Sequence, residues 1–309
     1  MNVLTSLSPA SHGVREIDAL WAISIAIFGL IFFCVTGLIV YSLMKYRWRE
    51  GEKDPEQIAG QRTVEIFWTA VPLGIVTLLF LLTIRTMGIA DPAPAPQPDL
   101  VVIGHQWWWE ARYPKSGVVT ANEIHIPTGT PYSVRLDSAD VLHEFWVAQL
   151  ARKMTTVPGH PNYIWLEADT PGSYPGSCSE FCGTQHAWMR FTVVAQPPAE
   201  FAAWVQSQLA PAAPPMTADA QEGQQIFMQM SCVSCHAING TPAQARVAPD
   251  LTHLASRAQI GAGVLDNTPD NLRRWLRNPQ DVKPGVLMPN FEFTDPQVNE
   301  LAAYLETLK

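Results

Sequence analysis

Positive charge is scarce. Twenty Lys and Arg against 28 Asp and Glu leave a formal charge of −8 over 309 residues, and this excludes the basic surface that a nucleic-acid partner requires. Cysteine is scarce too. Cys34 stands alone in an apolar run, and the other four form two close pairs, Cys178 with Cys182 and Cys232 with Cys235. Such a pattern supplies no disulfide framework. Residues 1–18 form a tail with one basic residue, Arg15, and they lack the basic start and short apolar core of a secretory leader. Charge of either sign is missing from two longer stretches, residues 19–44 and residues 66–84. Each is long enough to cross a lipid bilayer as a helix, and a soluble helix of this length would show a polar face.

A membrane hairpin is therefore expected over residues 19–90, with spans at 19–44 and 66–88. Between them stand Lys45, Arg47, Arg49, Lys53 and Arg62, diluted by Glu50, Glu52, Asp54 and Glu56. Basic loops stay on the cytoplasmic side, so both ends of the hairpin should face outward. Pro72 should introduce a local kink in the second span. The stretch DPAPAPQP (91–98) reads as a stiff, extended spacer. Short β-branched or aromatic runs follow at 100–104, 123–127, 132–136, 162–168 and 190–194, separated by Gly, Pro and Asp. These predict an all-β sandwich or small barrel over 91–196.

Within that domain, CSEFCGTQHAWM (178–189) gathers two thiols, a carboxylate, an imidazole and a thioether on a loop joining the last two strands, and DVLHEFW places His143 upstream, on a neighbouring loop. Soft sulfur with imidazole suits copper or zinc rather than calcium or magnesium, and Met189 favours copper, which accepts a weak axial thioether. Cys178 and Cys182 can bridge two copper ions, His143 and His186 can cap one each, and Met189 can bind one. A backbone carbonyl, with Glu180 between the cysteines, remains for the other. A disulfide or a zinc site would use the cysteines but would leave Met189 and Glu180 without a role.

The pattern C-x-E-x-C-x3-H-x2-M with its upstream histidine resembles the binuclear copper A centre of cytochrome c oxidase subunit II. The resemblance implies a cupredoxin-like Greek-key sandwich, and a magnesium or manganese ion reached by the Glu180 side chain at the catalytic subunit. Nitrous oxide reductases carry a similar centre but usually have tryptophan in place of Glu180. Trp107, first of the three tryptophans in GHQWWWE (104–110), matches the family's electron-input residue. The alternative reading is an aromatic strand, half of it in the core, which applies to at least one of the three. Glu65, at the start of the second span, matches a carboxylate at the mouth of a proton pathway, although a first-turn glutamate also suits a helix dipole.

Residues 197–216 read as a short helix and a Pro/Ala linker before a further module at 217–309. There CVSCH is a covalent c-type haem signal: Cys232 and Cys235 form the thioethers and His236 binds iron. Met288, in VKPGVLMPN, is the expected sixth ligand and His253 its rival, while Met228 and Met230 read as core. The module resembles an all-α class I cytochrome c, in which Pro249 matches the proline whose carbonyl orients the haem histidine. A helix at about 218–230 should pack on a final helix at about 295–308.

The whole chain resembles a bacterial cytochrome c oxidase subunit II with a fused cytochrome c domain. That implies a multidomain membrane protein that takes electrons from a cytochrome c or a quinol–cytochrome c reductase. It would pass them through haem c and copper to catalytic subunit I, with subunit III as a further partner. The same sites could serve a nitric oxide reductase, a free-standing carrier or a copper-delivery protein. A quinol-oxidase subunit would lack the copper ligands. With ten acidic and seven basic residues in 217–309, the haem module offers no clear charge match to a donor.

Overall fold

The computed structural model describes residues 8–51, 53, 57, 59–90 and 95–309. The start of the expected tail, Glu52, Asp54 and Glu56 of the charged loop, and residues 91–94 of the spacer lie outside the described residues. The chain forms two compact units, residues 15–92 and residues 1–14 with 93–309.

The first unit is a helical hairpin of α1 (His12–Lys45) and α2 (Arg62–Ala90). Both helices run past the charge-free stretches, α1 from His12 to Lys45 and α2 from Arg62 to Ala90. Their apolar side chains face outward, with Phe33 74% exposed, as expected where lipid or another helix is the solvent. Thr69, Thr77 and Thr83 donate their hydroxyls to carbonyls one turn back, so they place no unpaired polar group in the apolar surface. Arg85 pairs with Glu16 at 2.6 Å. The helix continues through Pro72.

The second unit joins a β-sandwich to a helical module. One sheet orders β3 (Val119–Ala121), β2 (Trp108–Arg112), β1 (Leu100–His105), β5 (Tyr132–Ser138) and β8 (Asn162–Leu166). The other orders β4 (Glu123–Pro127), β10 (Arg190–Gln196), β9 (Gly172–Cys178), β6 (His143–Trp146) and β7 (Met154–Thr156). Parallel pairing of β1 with β5 and of β4 with β10, amid antiparallel neighbours, gives the Greek-key crossing expected of a cupredoxin-like sandwich. Alternation directs Leu100 and Val102 of β1, and Phe191, Val193 and Ala195 of β10, into one core. Trp109 is the expected core tryptophan. It packs edge-on against Phe145 and Phe191, both at 5.5 Å between ring centres, and so joins the sheets directly beneath His143. Gly176 leaves room for the Phe191 ring, which a Cβ would overlap.

The five expected strands are present, with 162–168 ending at Leu166. Four others, β3, β6, β7 and β9, escaped the sequence reading, while β2 takes up the aromatic strand read in GHQWWWE. One of them, β6, corrects the expectation that His143 lies on a loop, because His143 is the first residue of that strand. Four residues cannot display a period, and β6 owes its conformation to pairing with β7 and β9.

After α3 (Pro198–Gln208), which stacks Trp204 on His125 at 4.1 Å, the helical module contains α4 (Ala218–Gln229), α5 (Pro269–Arg277), α6 (Pro279–Val282) and α7 (Asp295–Leu305). A small hairpin, β11 (Gln259–Ile260) with β12 (Leu265–Asp266), precedes α5. Helices α4 and α7 cross at Gly223, where a Cβ would overlap the Glu300 carbonyl. Val298, Leu301, Ala302 and Leu305 of α7 are buried, on the face that the sequence predicts. Thr217 and Thr268 cap α4 and α5 by accepting from Ala220 and Asn271 N–H.

Gly223→Ala should therefore cost the helical module about 1–3 kcal/mol of stability, read as a lower thermal midpoint for haem-domain signals with copper binding unchanged. A second expectation concerns Glu110, buried in β2. Burial pushes its pKa up, but His105 and Arg112, the latter at 2.7 Å, outweigh burial and hold it below the ordinary glutamate value. Its contribution is present above that ordinary value and is lost as pH falls below about 4.3. Glu110→Gln should flatten this acid dependence in a pH series of thermal melts.

Candidate metal centres

The loop between β9 and β10 starts at Cys178, the last residue of its strand, and ends at Met189, just before the next strand. Its ends are pinned by Cys178 N–H donating to the Met189 carbonyl at 3.0 Å. The Sγ atoms of Cys178 and Cys182 are 3.8 Å apart. Cys182 Sγ lies 3.7 Å from His186 Nδ1 and 3.8 Å from Met189 Sδ, and Cys178 Sγ lies 3.2 Å from the Glu180 carbonyl oxygen. One ring nitrogen of His143 falls within 4.8 Å of both sulfurs. All six expected donors thus converge on one pocket, in which Cys178, Cys182, Met189 and His143 are buried. The Glu180 side chain is exposed.

Neighbouring groups prepare the pocket. His143 Nε2 donates to Asp140 at 2.7 Å, and Nδ1 is then a buried nitrogen with no protein partner. A metal ion would satisfy it, and a carboxylate behind a ligating imidazole is the usual arrangement. Asp140 also accepts from Gln106 and Val141 N–H. Burial raises the Asp140 pKa, but His143 and these two N–H groups outweigh it and keep it ionised. The Cys182 thiol holds the Cys178 pKa down, while Cys178 in turn pushes Cys182 up, as two sulfurs sharing one proton must. Gly104 makes room for the imidazole, since a Cβ there would stand 2.7 Å from His143 Cδ2. The Cys182 carbonyl accepts from Trp107 Nε1 at 2.9 Å and from Gln106 Nε2 at 2.8 Å.

In the helical module CVSCH begins on a short 3-10 turn, and His236 N–H donates to the Cys232 carbonyl at 3.0 Å. His236 Nδ1 donates to the Pro249 carbonyl at 2.7 Å, which reserves Nε2 for an iron. Burial lowers the His236 pKa and favours the neutral ring that a metal needs. His253 is buried, and its Nε2 donates to the Gln208 carbonyl at the end of α3 at 3.1 Å, while Nδ1 has no partner among the described residues. Met288 is half-buried on the loop after α6. Gln280 shapes that loop by donating to the Val286 and Met288 carbonyls and accepting from Gly285 N–H. Glu65 lies exposed in the first turn of α2.

Sequence reasoning missed Asp140, Gln106, Gly104 and Gln280. An aspartate three residues before a candidate ligand histidine was a usable signal for the first. The others act through tertiary contacts and carry none.

Comparison with known proteins agrees across the chain. The family description "Cytochrome C oxidase subunit II, transmembrane domain" matches residues 1–86, and "Cytochrome C oxidase subunit II, periplasmic domain" matches residues 117–196. "Cytochrome c" matches residues 220–309. The chain is 37% identical to cytochrome c oxidase subunit 2 of Alkalihalophilus pseudofirmus, over 99% of this chain and 91% of that protein. It is 35% identical to the subunit 2 of Bacillus sp. strain PS3, over 85% and 80%. The crystal structure of the periplasmic domain of subunit II of cytochrome oxidase of Bradyrhizobium japonicum aligns at 30% identity and a TM-score of 0.35, over 37% of this chain and 95% of that one.

Gly104→Ala should displace His143 and weaken copper binding to the metal-free protein by roughly 10–100-fold, the usual effect of disturbing support behind a ligand. A competitive copper titration checks this, and thermal stability of the sandwich reports whether the fold itself has changed.

Proposed function

The chain belongs to the cytochrome c oxidase subunit II family, and on that premise we propose that it is the electron-input subunit of a haem–copper terminal oxidase. A c-type cytochrome, or a quinol–cytochrome c reductase, supplies the electrons, and catalytic subunit I, accompanied by subunit III, reduces oxygen to water. The observation that carries this reading is the presence, in one folded unit, of a sulfur–imidazole pocket and a C-x-x-C-H turn with its histidine already oriented.

Two copper ions would be held by His143, Cys178, the Glu180 carbonyl, Cys182, His186 and Met189, and one haem c by Cys232, Cys235, His236 and Met288. These groups supply one-electron chemistry, with charge shared over two thiolates in the first case and a potential raised by methionine ligation in the second. The protein's own part is to hold donors still. Asp140 keeps the proton of His143 on Nε2, and Pro249 does the same for His236 on Nδ1. Loops tied to a packed sandwich leave little to rearrange when charge changes.

Around the copper loop Val141, Leu142, Trp188 and Phe181, the last 77% exposed, form apolar surface of the kind a permanent partner covers. The Glu180 side chain beside them is a hard oxygen ligand free to share a magnesium or manganese ion with that partner. The apolar surfaces of α1 and α2 support a bilayer position with two spans. Ala10 exchanges backbone hydrogen bonds with Gln149 and Asp169 of the copper domain, which supports placing that domain and the N-terminal segment together on the extracytoplasmic side. Glu65, at the opposite end of the hairpin's topology, is the proposed mouth of a proton path in a proton-translocating complex.

The experiment uses the complex purified through this chain, reduced by ascorbate with a mediator, with oxygen and nitric oxide consumption recorded side by side. Fast oxygen uptake, abolished in Cys182→Ala with the subunits still assembled, is the expected result. Nitric oxide consumption with slow oxygen uptake would overturn the oxidase reading.

A further inference from the structure

The contact between the copper and haem modules is built around a buried lysine. Lys283 is 2% exposed, and its Nζ donates to the carbonyls of Trp107 and Gly261, each at 3.2 Å. Desolvation pushes its pKa down to about 8. A lysine at the edge of a contact normally extends its ammonium into water, and a buried charge with neutral partners is costly. The two carbonyls compensate that charge, so what Lys283 contributes here is a fixed pair of donors.

What they fix is a register. Lys283 stands five residues before Met288. It grips the carbonyl of the residue whose indole donates to Cys182, so hydrogen bonds run from the Met288 loop, through Trp107, to the copper loop. The surrounding contacts agree on the same seat. Gln185 of the copper loop donates to the Pro284 carbonyl. Gly285 comes so close that a Cβ would stand 3.0 Å from Thr184 Cγ2. On the other flank Ala262 packs against Trp108 and Ala121, and Arg190 N–H donates to the Ala262 carbonyl at 3.2 Å. Ala258 N–H donates to Glu123 at 2.8 Å.

We infer that Lys283 is a positioning residue that latches the fused haem domain onto the Trp107 turn in a single register, making Trp107 a relay inside the chain. The inference rests on the electron-transfer function proposed above. One electron crosses this seat at a time, leaving the haem domain oxidised and the copper domain reduced, with no bond made or broken. External c-type donors then meet the haem domain, because the Trp107 turn is already occupied.

The test uses the assembled oxidase with Lys283→Met, which keeps chain length and apolar bulk but removes the donors. Hydrogen exchange should accelerate selectively in the segments 104–109 and 182–186. Transfer from haem c to copper after rapid photoreduction should slow by roughly tenfold or more, as expected for losing hydrogen bonds from a charged group. Reduction of haem c by an external cytochrome, and both metal spectra, should stay unchanged. Unaltered exchange and unaltered internal transfer would overturn the inference. Absence of haem-to-copper transfer in the unmodified complex would instead defeat the underlying function, while exchange still scored the latch. If the variant fails to assemble, limited acetylation of the unmodified complex decides. Lys283 should label at least about tenfold more slowly than exposed Lys115, since labelling requires local opening, and equal labelling would overturn the latch.

Discussion

Two sulfurs held 3.8 Å apart in a buried pocket, beside an imidazole nitrogen with no protein partner, are the constraint on which the rest of the copper domain depends. Without a metal, these thiols compete for one proton and His143 Nδ1 is an uncompensated buried acceptor. Each is an unfavourable arrangement that a positive ion between them relieves. The surrounding fold keeps the arrangement from relaxing in other ways. Sheet pairing fixes Cys178 and His143 at strand ends, Gly104 admits the imidazole, Trp109 wedges beneath it, and the Cys182 carbonyl is held by two side-chain donors.

The haem module uses the same logic with different parts. The Pro249 carbonyl selects the tautomer of His236, as Asp140 does for His143, and Gln280 holds the Met288 loop by three hydrogen bonds. In each module a donor cluster that is local in sequence is joined by a distant residue, His143 or Met288, and Gly104 and Gln106 reach the copper loop from far away in sequence. The two modules then meet through residues 258–263 and 283–285 from the haem side and the Trp107 turn, Glu123 of β4 and residues 184–190 from the copper side. A pair of domains joined by a linker in the sequence is one compact unit in three dimensions.

This explains what could be read in advance. The membrane helices are legible because charge is absent over many consecutive residues, and the donor set is legible because Cys178, Glu180, Cys182, His186 and Met189 keep a fixed spacing. The strand period shows at 100–104 and 190–194, where one face is core. It fails for β6, whose four residues take their conformation from β7 and β9. Asp140 left a faint trace as a carboxylate three residues from a ligand. Lys283 left none, because a lysine next to Pro-Gly reads as a solvated loop residue until a second domain covers it.

We propose that this chain carries a paired-copper site and a covalent haem together. Elemental analysis of the purified full-length protein, with haem counted by covalent attachment to the peptide containing Cys232 and Cys235, tests it most directly. Two copper atoms and one haem iron per chain are expected, with Cys178 and Cys182 unreactive toward thiol reagents until copper is removed. Zinc in place of copper, a single copper atom, or a disulfide between Cys178 and Cys182 in the active complex would contradict it.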